Sequence, residues 1–140
     1  MSKPTDERST PQWLFDALNK EFHFTLDVCA SAENHKCESY YTIVTNGLSL
    51  PWAPKVCWMN PPYSELTSWL YKLEAEVKLG ATVVGLLPVD TSTKWFHRYV
   101  WPETPHRQVR FLNKRLKFEH ENSAKFANMV VVWTPENGLW

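Results

Sequence analysis

The run Ala-Thr-Val-Val-Gly-Leu-Leu at residues 81–87 constrains this chain more than any other segment. It is apolar throughout and of strand length, so it predicts a strand buried on both faces. Just before it, residues 64–79 carry Leu66, Trp69, Leu70, Leu73 and Val77 at helical spacing, with Ser64 as the expected cap and Gly80 as the stop. A helix delivering a doubly buried strand requires helices on both faces of a mostly parallel sheet. The flanking segments extend the alternation. Thr10-Pro11 predicts a helix start running to about residue 20, and residues 22–28 alternate apolar and polar as a strand does. A short helix is expected over residues 32–41, then a short strand over 40–44 before the turn dipeptide Asn46-Gly47. Residues 55–59 predict a buried strand, and Thr91 or Ser92 starts a helix carrying Trp95, Phe96 and Tyr99. Strands at 108–112, 115–118 and 128–133 finish the chain, the last ones as an antiparallel hairpin.

Composition narrows the function. With 140 residues the chain is expected to form a single domain, with residues 1–9 loose. The 4 glycines are scattered, which excludes a Walker loop, a dinucleotide-binding GxGxxG and a GxSxG elbow. Formal charge is zero, so any nucleic-acid contact rests on a local patch. The 3 cysteines show no CxxC spacing, and no apolar leader or long apolar stretch is present. The expectation is a soluble, cytoplasmic chain with reduced thiols, no membrane partner and no metal. Cys29, His35 and Cys37 fall short of the four spaced ligands that zinc requires.

In open α/β sheets, ligands bind beyond the carboxyl ends of the strands. Two such ends stand out: Asp27-Val28-Cys29-Ala30 and Asn60-Pro61-Pro62-Tyr63. The second carries chemistry. A planar amino group is a poor nucleophile because its lone pair is delocalised. Two acceptors holding its hydrogens steer the nitrogen toward tetrahedral geometry and aim the lone pair at an electrophile. Asn60 offers a side-chain carbonyl and Pro61 a backbone carbonyl. Neither Pro61 nor Pro62 has an N–H to compete, and Tyr63 supplies a flat surface for a base or amide. The electrophile that suits this arrangement is the sulfonium methyl of S-adenosylmethionine. The alternative is a strand-ending turn that happens to use two prolines.

The chain resembles the phage-type Dam-like DNA N6-adenine methyltransferases. The resemblance runs through residues 10–15 (Thr-Pro-Gln-Trp-Leu-Phe), residues 24–30 with Asn34 and Cys37, Asn46-Gly47-Leu48 with Trp52, the Asn60–Tyr63 string, and Leu86-Leu87-Pro88 with Asp90-Thr91 and Trp95-Phe96. It implies a Rossmann-like methyltransferase fold, S-adenosylmethionine as donor, and an adenine flipped from double-stranded DNA as acceptor. Asn60, Pro61, Pro62 and Tyr63 then match the catalytic motif. Asp27, Ala30, Ser31 and Asn34 match the cofactor loop, and Thr10 and Pro11 the segment closing over the methionine end. Asn46 stands where relatives often carry an aspartate, and its amide suits a ribose or adenine edge. The same chemistry on a protein glutamine or an RNA base, or a non-catalytic DNA-binding remnant, are the competing readings.

Residues 105–118 hold five basic side chains and no acid: Arg107, Arg110, Lys114, Arg115 and Lys117. They are the candidate DNA-phosphate strip, against the plainer reading of a solvated hairpin face. The polar stretch 119–125 is the candidate loop that orders on DNA. Asp90-Thr91 reads first as a helix cap.

Overall fold

The computed structural model describes residues 10–113, 116 and 127–136. All but residue 116 of the expected strand at 115–118, the loop at 119–125 and the residues 1–9 expected to be loose lie outside this set.

Helix α1 (Gln12–Phe22) presents Leu14, Phe15, Leu18 and Phe22 on one buried face. It runs two residues beyond the expected end. His23 then takes a left-handed conformation, φ 56°, its N–H bonded to the Asn19 carbonyl. The Asn19 side chain accepts the next N–H, that of Phe24, at 2.8 Å. These bonds consume the start of the strand expected at residue 22, so β1 covers only Leu26–Asp27. Strand β2 (Val56–Met59) follows, then a 3₁₀ turn at Tyr63–Glu65 that leads into α2 (Leu66–Lys78). The N-cap position of α2 is Glu65 rather than the expected Ser64, which lies within the 3₁₀ turn. Gly80 ends the helix at φ 113°, a conformation that side chains with a Cβ rarely adopt. Strand β3 spans Thr82–Pro88.

The expected helix over residues 32–41 does not form. Asp27 explains why: its backbone N–H donates to the Ser39 carbonyl, its carbonyl accepts Tyr41 N–H, and its carboxylate accepts Lys36 N–H. Groups that a helix would satisfy internally are drawn onto β1 instead. The strand expected at 40–44 shrinks to one bridge between Tyr40 and Asp27. The helix expected from Thr91 starts later, at residue 94, and continues as a π-helix over Phe96–Val100 that carries Phe96 and Tyr99, with Thr93 rather than Thr91 supplying the hydroxyl that accepts Phe96 N–H.

Strands β4 (Arg107–Phe111) and β5 (Asn128–Trp133) complete a five-stranded sheet in the order β1-β2-β3-β5-β4. The pairs β1–β2 and β2–β3 are parallel, while β3–β5 and β4–β5 are antiparallel. The expectation of a mostly parallel sheet is met in part: two of the four pairings are parallel, and β5 is the strand that runs against the others. The antiparallel pairing expected of a terminal hairpin is present in β4–β5, but β5 also inserts beside β3 in the middle of the sheet. Direction was hidden because Met-Val-Val-Val-Trp is uniformly apolar, as any central strand is in either orientation.

Both faces are covered. Met59, Val83, Leu87, Met129, Val131 and Trp133 pack under α2 and the Phe96–Val100 turn. Trp58, Val84, Leu86, Val130 and Val132 point the other way, against Leu14, Phe15 and Leu18 of α1. The alternation along each strand is the pleat itself. It leaves the carboxyl ends of β1, β2 and β3 side by side, with the start of β5 next to them.

Candidate active site

At the end of β2 the sheet meets Pro61 and Pro62, which have no N–H for a ladder, and the chain leaves as a loop. Pro61 is buried and Asn60 half-buried. Asn60 Nδ2 donates to Thr10 Oγ1 at 2.9 Å, so the amide is held by its donor side. The Pro62 carbonyl accepts Glu65 N–H at 3.1 Å. Tyr63, at the first position of the 3₁₀ turn, is half-buried, and its hydroxyl accepts a hydrogen bond from Asn128 Nδ2 at 2.8 Å. Sequence reasoning missed Asn128. It opens an apolar strand, where an amide looks like a turn residue, and only the sheet order brings it beside β3 and the Asn60 loop.

Thr10 was expected to cap α1 or to touch the cofactor. It does not cap: Pro11 occupies that position and no side chain caps the helix. Thr10 is instead buried at 2% exposure with its hydroxyl on Asn60. Pro11 is buried beside it, its carbonyl accepting the N–H groups of Leu14 and Phe15.

Asp27 lies under the loop that follows β1. One carboxylate oxygen accepts Cys29 N–H at 3.2 Å and the other Lys36 N–H at 2.9 Å. Burial pushes its pKa above the ordinary carboxylate value, with the two N–H groups and the nearby charges of His35 and Lys36 opposing the shift. The carboxylate is 3% exposed, so its first task is to shape this loop. Ser31 and Asn34 exchange backbone hydrogen bonds in a tight turn, reinforced by the Ser31 hydroxyl. Ala30 N–H donates to the Tyr41 carbonyl. Lys36 Nζ reaches Gln12 Oε1 at 2.8 Å, tying this loop to the start of α1. Asn46 is exposed at φ 62°, its side-chain oxygen accepting Leu48 N–H. Gly47 comes so close to the end of β1 that a Cβ there would lie 2.2 Å from the Val28 carbonyl oxygen.

Thus the structure brings Thr10, Pro11, Asp27, Ala30, Ser31, Asn34 and the Asn60–Tyr63 string to one edge of the sheet, with the Asn46 loop folded against the end of β1. The basic strip fares differently. Arg107 and Arg110 project from opposite faces of β4, as their odd separation dictates. Arg110 forms a two-pronged contact with Glu21 at 2.7 and 2.6 Å and lies over the Phe22 ring. Arg107 donates to the Arg98 carbonyl and lines a cavity of about 720 Å³ at the opposite end of the sheet, with Gly80, Trp133 and Thr134. Lys114, Arg115 and Lys117 are outside the described residues.

The family model "DNA N-6-adenine-methyltransferase (Dam)" matches residues 1–136. The chain belongs to that family. A DNA N-6-adenine-methyltransferase of Haemophilus phage HP1 is 35% identical over 137 residues, covering 91% of this chain and 78% of the phage protein. One of Escherichia phage T1 is 37% identical over 90 residues, covering 63% of this chain and 38% of that protein.

Burial pushes the thiols of Cys37 and Cys57 up to about 12, which makes them poor nucleophiles and poor ligands. Among the described residues no group of three or more His, Cys, Asp or Glu side chains is placed to hold a metal. No helix among them is long and apolar enough to cross a membrane.

Proposed function

We propose that this chain transfers a methyl group from S-adenosylmethionine to N6 of an adenine extruded from double-stranded DNA, in a bacterial or phage-infected cell. Residues 1–140 act as one catalytic unit. The parallel β1–β2–β3 half of the sheet supports reading the fold as a Rossmann-like methyltransferase core. The observation that carries the mechanism is the Asn60–Thr10 contact. With the nitrogen end of the amide engaged there, the Asn60 carboxamide oxygen lies on the other side, as an acceptor for one N6 hydrogen. The Pro61 carbonyl takes the other. Both bonds strengthen as the amine becomes tetrahedral and gains positive charge, so they favour the transition state over the ground state. Tyr63 lies against the flipped base, whose extrusion costs a few kcal/mol of stacking.

The polar ledge beyond β1 fits the donor. It combines half-buried residues at Ala30 and Ser31 with exposed amides at Asn34 and Asn46. In this reading Asp27 fixes the loop from beneath, Ala30, Ser31 and Asn34 face the methionine end, Asn46 meets the adenosine edge, and Pro11 closes over the site while Thr10 holds Asn60. When bound, the cofactor supplies a methyl activated by sulfonium. Phosphate contact falls to the cations at 114, 115 and 117, while Arg107 lies at the far end of the sheet and Arg110 braces α1.

Asn60→Ala tests the reading. Methyl transfer, followed as N6-methyladenine in digested DNA by mass spectrometry, falls about 10²–10³-fold. Cofactor affinity by calorimetry stays at the wild-type value. Full activity of this variant on DNA overturns the proposal, and transfer to RNA or protein with none to DNA overturns the assigned substrate.

A further inference from the structure

Asn128 is buried at 1% exposure and lies opposite Pro88 in the β3–β5 register. Its side-chain nitrogen has two hydrogens. One goes to Tyr63 Oη at 2.8 Å and the other to the Leu87 carbonyl at 3.3 Å. The Leu87 carbonyl decides the orientation, because a flipped amide would set oxygen against oxygen. Its other end, Oδ1, is buried with no partner among the described residues. A buried acceptor without a donor weakens a fold. This side chain is therefore a poor stabiliser, and its one well-made side-chain contact is with the tyrosine beside Asn60.

We propose that Asn128 is a positioning residue for substrate: by donating to Tyr63 Oη it fixes the plane of the ring against which the target base lies. The inference rests on the reading of Tyr63 as the base platform. Tyr63 sits on a single 3₁₀ turn between a proline pair and α2, so its backbone alone leaves the ring's rotamer open. A hydrogen bond at the far tip of the ring, from a strand in the middle of the sheet, removes that freedom before DNA arrives. A pre-set ring spares the ordering cost that binding would otherwise carry, so the loss should fall on KM for DNA rather than on kcat.

The test uses Asn128→Leu, Tyr63→Phe and the double variant, assayed on double-stranded DNA. Expected for Asn128→Leu is a KM for DNA raised about 5- to 20-fold, with kcat within about threefold of wild type. Cofactor affinity is unchanged, and Tm changes little, because removal of the orphaned acceptor offsets the loss of the two donated bonds. Tyr63→Phe gives a rise of the same size, and the double variant is no worse than either single one. A KM within twofold of wild type for Asn128→Leu overturns the proposal, as do losses that multiply in the double variant. Should Asn128→Leu not fold, Tyr63→Phe decides: an unchanged KM overturns the proposal and a raised one supports it. Tyr63→Ala separates the two readings. Wild-type kinetics there sink the platform itself, whereas an impaired Tyr63→Ala beside a normal Asn128→Leu sinks only the role of Asn128.

Discussion

Asn60 and Thr10, 50 positions apart in sequence, are joined by a 2.9 Å hydrogen bond in which the amide donates and the hydroxyl accepts. A primary amide has a donor side and an acceptor side, so holding one decides where the other points. Thr10 precedes α1, which packs on one face of the sheet, and Asn60 ends β2 within it. Docking of the helix therefore sets the orientation of the Asn60 amide.

Thr10→Val keeps the shape of the side chain and removes the acceptor. The Asn60 amide then loses its anchor, and kcat falls about 10-fold, since small misplacements of a reacting group are costly. Thr10→Ser restores most of the rate. Calorimetry gives an unchanged cofactor affinity for both variants. A weakened cofactor affinity with normal kcat would return Thr10 to the cofactor-closing role that the sequence resemblance implies.

The helices and central strands were legible because their signals are local. Leu66, Trp69, Leu70 and Leu73 recur at helical spacing, and Asn60-Pro61-Pro62 stops a strand whatever surrounds it. The segment at 32–41 was misread because its fate depends on Asp27, whose carboxylate takes Lys36 N–H out of any helix. The contributions of Thr10 and Asn128 were hidden for the same reason. Each touches a residue distant in sequence, at 60 and 63 respectively, and no periodicity encodes that. The basic strip was legible as charge but not as geometry: β4 puts Arg107 and Arg110 on opposite faces, and Glu21 occupies the second.

Arg110 and Glu21 pair at the surface, with Glu21 held below its ordinary pKa by the hydrogen bond from Arg110, and Arg110 raised by the same bond. Both side chains are partly exposed, so the pair is worth no more than about 1 kcal/mol. Arg110→Ala lowers stability by about that amount in urea titrations. It leaves the slope of log K for DNA against log salt unchanged, whereas a phosphate-binding arginine would reduce that slope by about one counterion.

Asp27→Ala strands the N–H groups of Cys29 and Lys36, which destabilises the fold by about 2–4 kcal/mol and weakens cofactor binding by loosening the loop. The pH dependence has a definite sign. Burial raises the folded pKa above its ordinary value of 3.8, so the native state holds this proton where the unfolded chain has lost it. The stability gap between wild type and Asp27→Ala is therefore widest below that value and narrows as pH rises through the folded pKa. Urea unfolding of both proteins across acidic and neutral pH measures it, and a gap that widens with pH contradicts the assignment.

Glu76 behaves in the opposite sense. Burial raises its pKa, but the N–H groups of Ala53 and Trp52 and the ammonium of Lys72 outweigh it and hold the carboxyl below its ordinary value of 4.5. One oxygen, Oε1, accepts Trp52 N–H and Ala53 N–H at 2.6 and 3.0 Å, and the other accepts Lys72 Nζ at 3.1 Å. Glu76→Gln keeps an oxygen for the two backbone groups but turns an amide nitrogen toward the ammonium, costing about 1–2 kcal/mol at neutral pH. Glu76→Ala loses all three partners and costs about 3–5 kcal/mol. Because the folded pKa is depressed, the wild-type advantage is fully present above 4.5 and is lost as pH falls through the folded pKa, where Glu76 itself becomes neutral. Denaturation midpoints of wild type and Glu76→Gln should therefore converge in acid. The variant keeps its methyl-transfer rate at temperatures where it stays folded, because Glu76 pins the Trp52–Ala53 loop to α2 and touches none of Thr10, Asn60 or Tyr63.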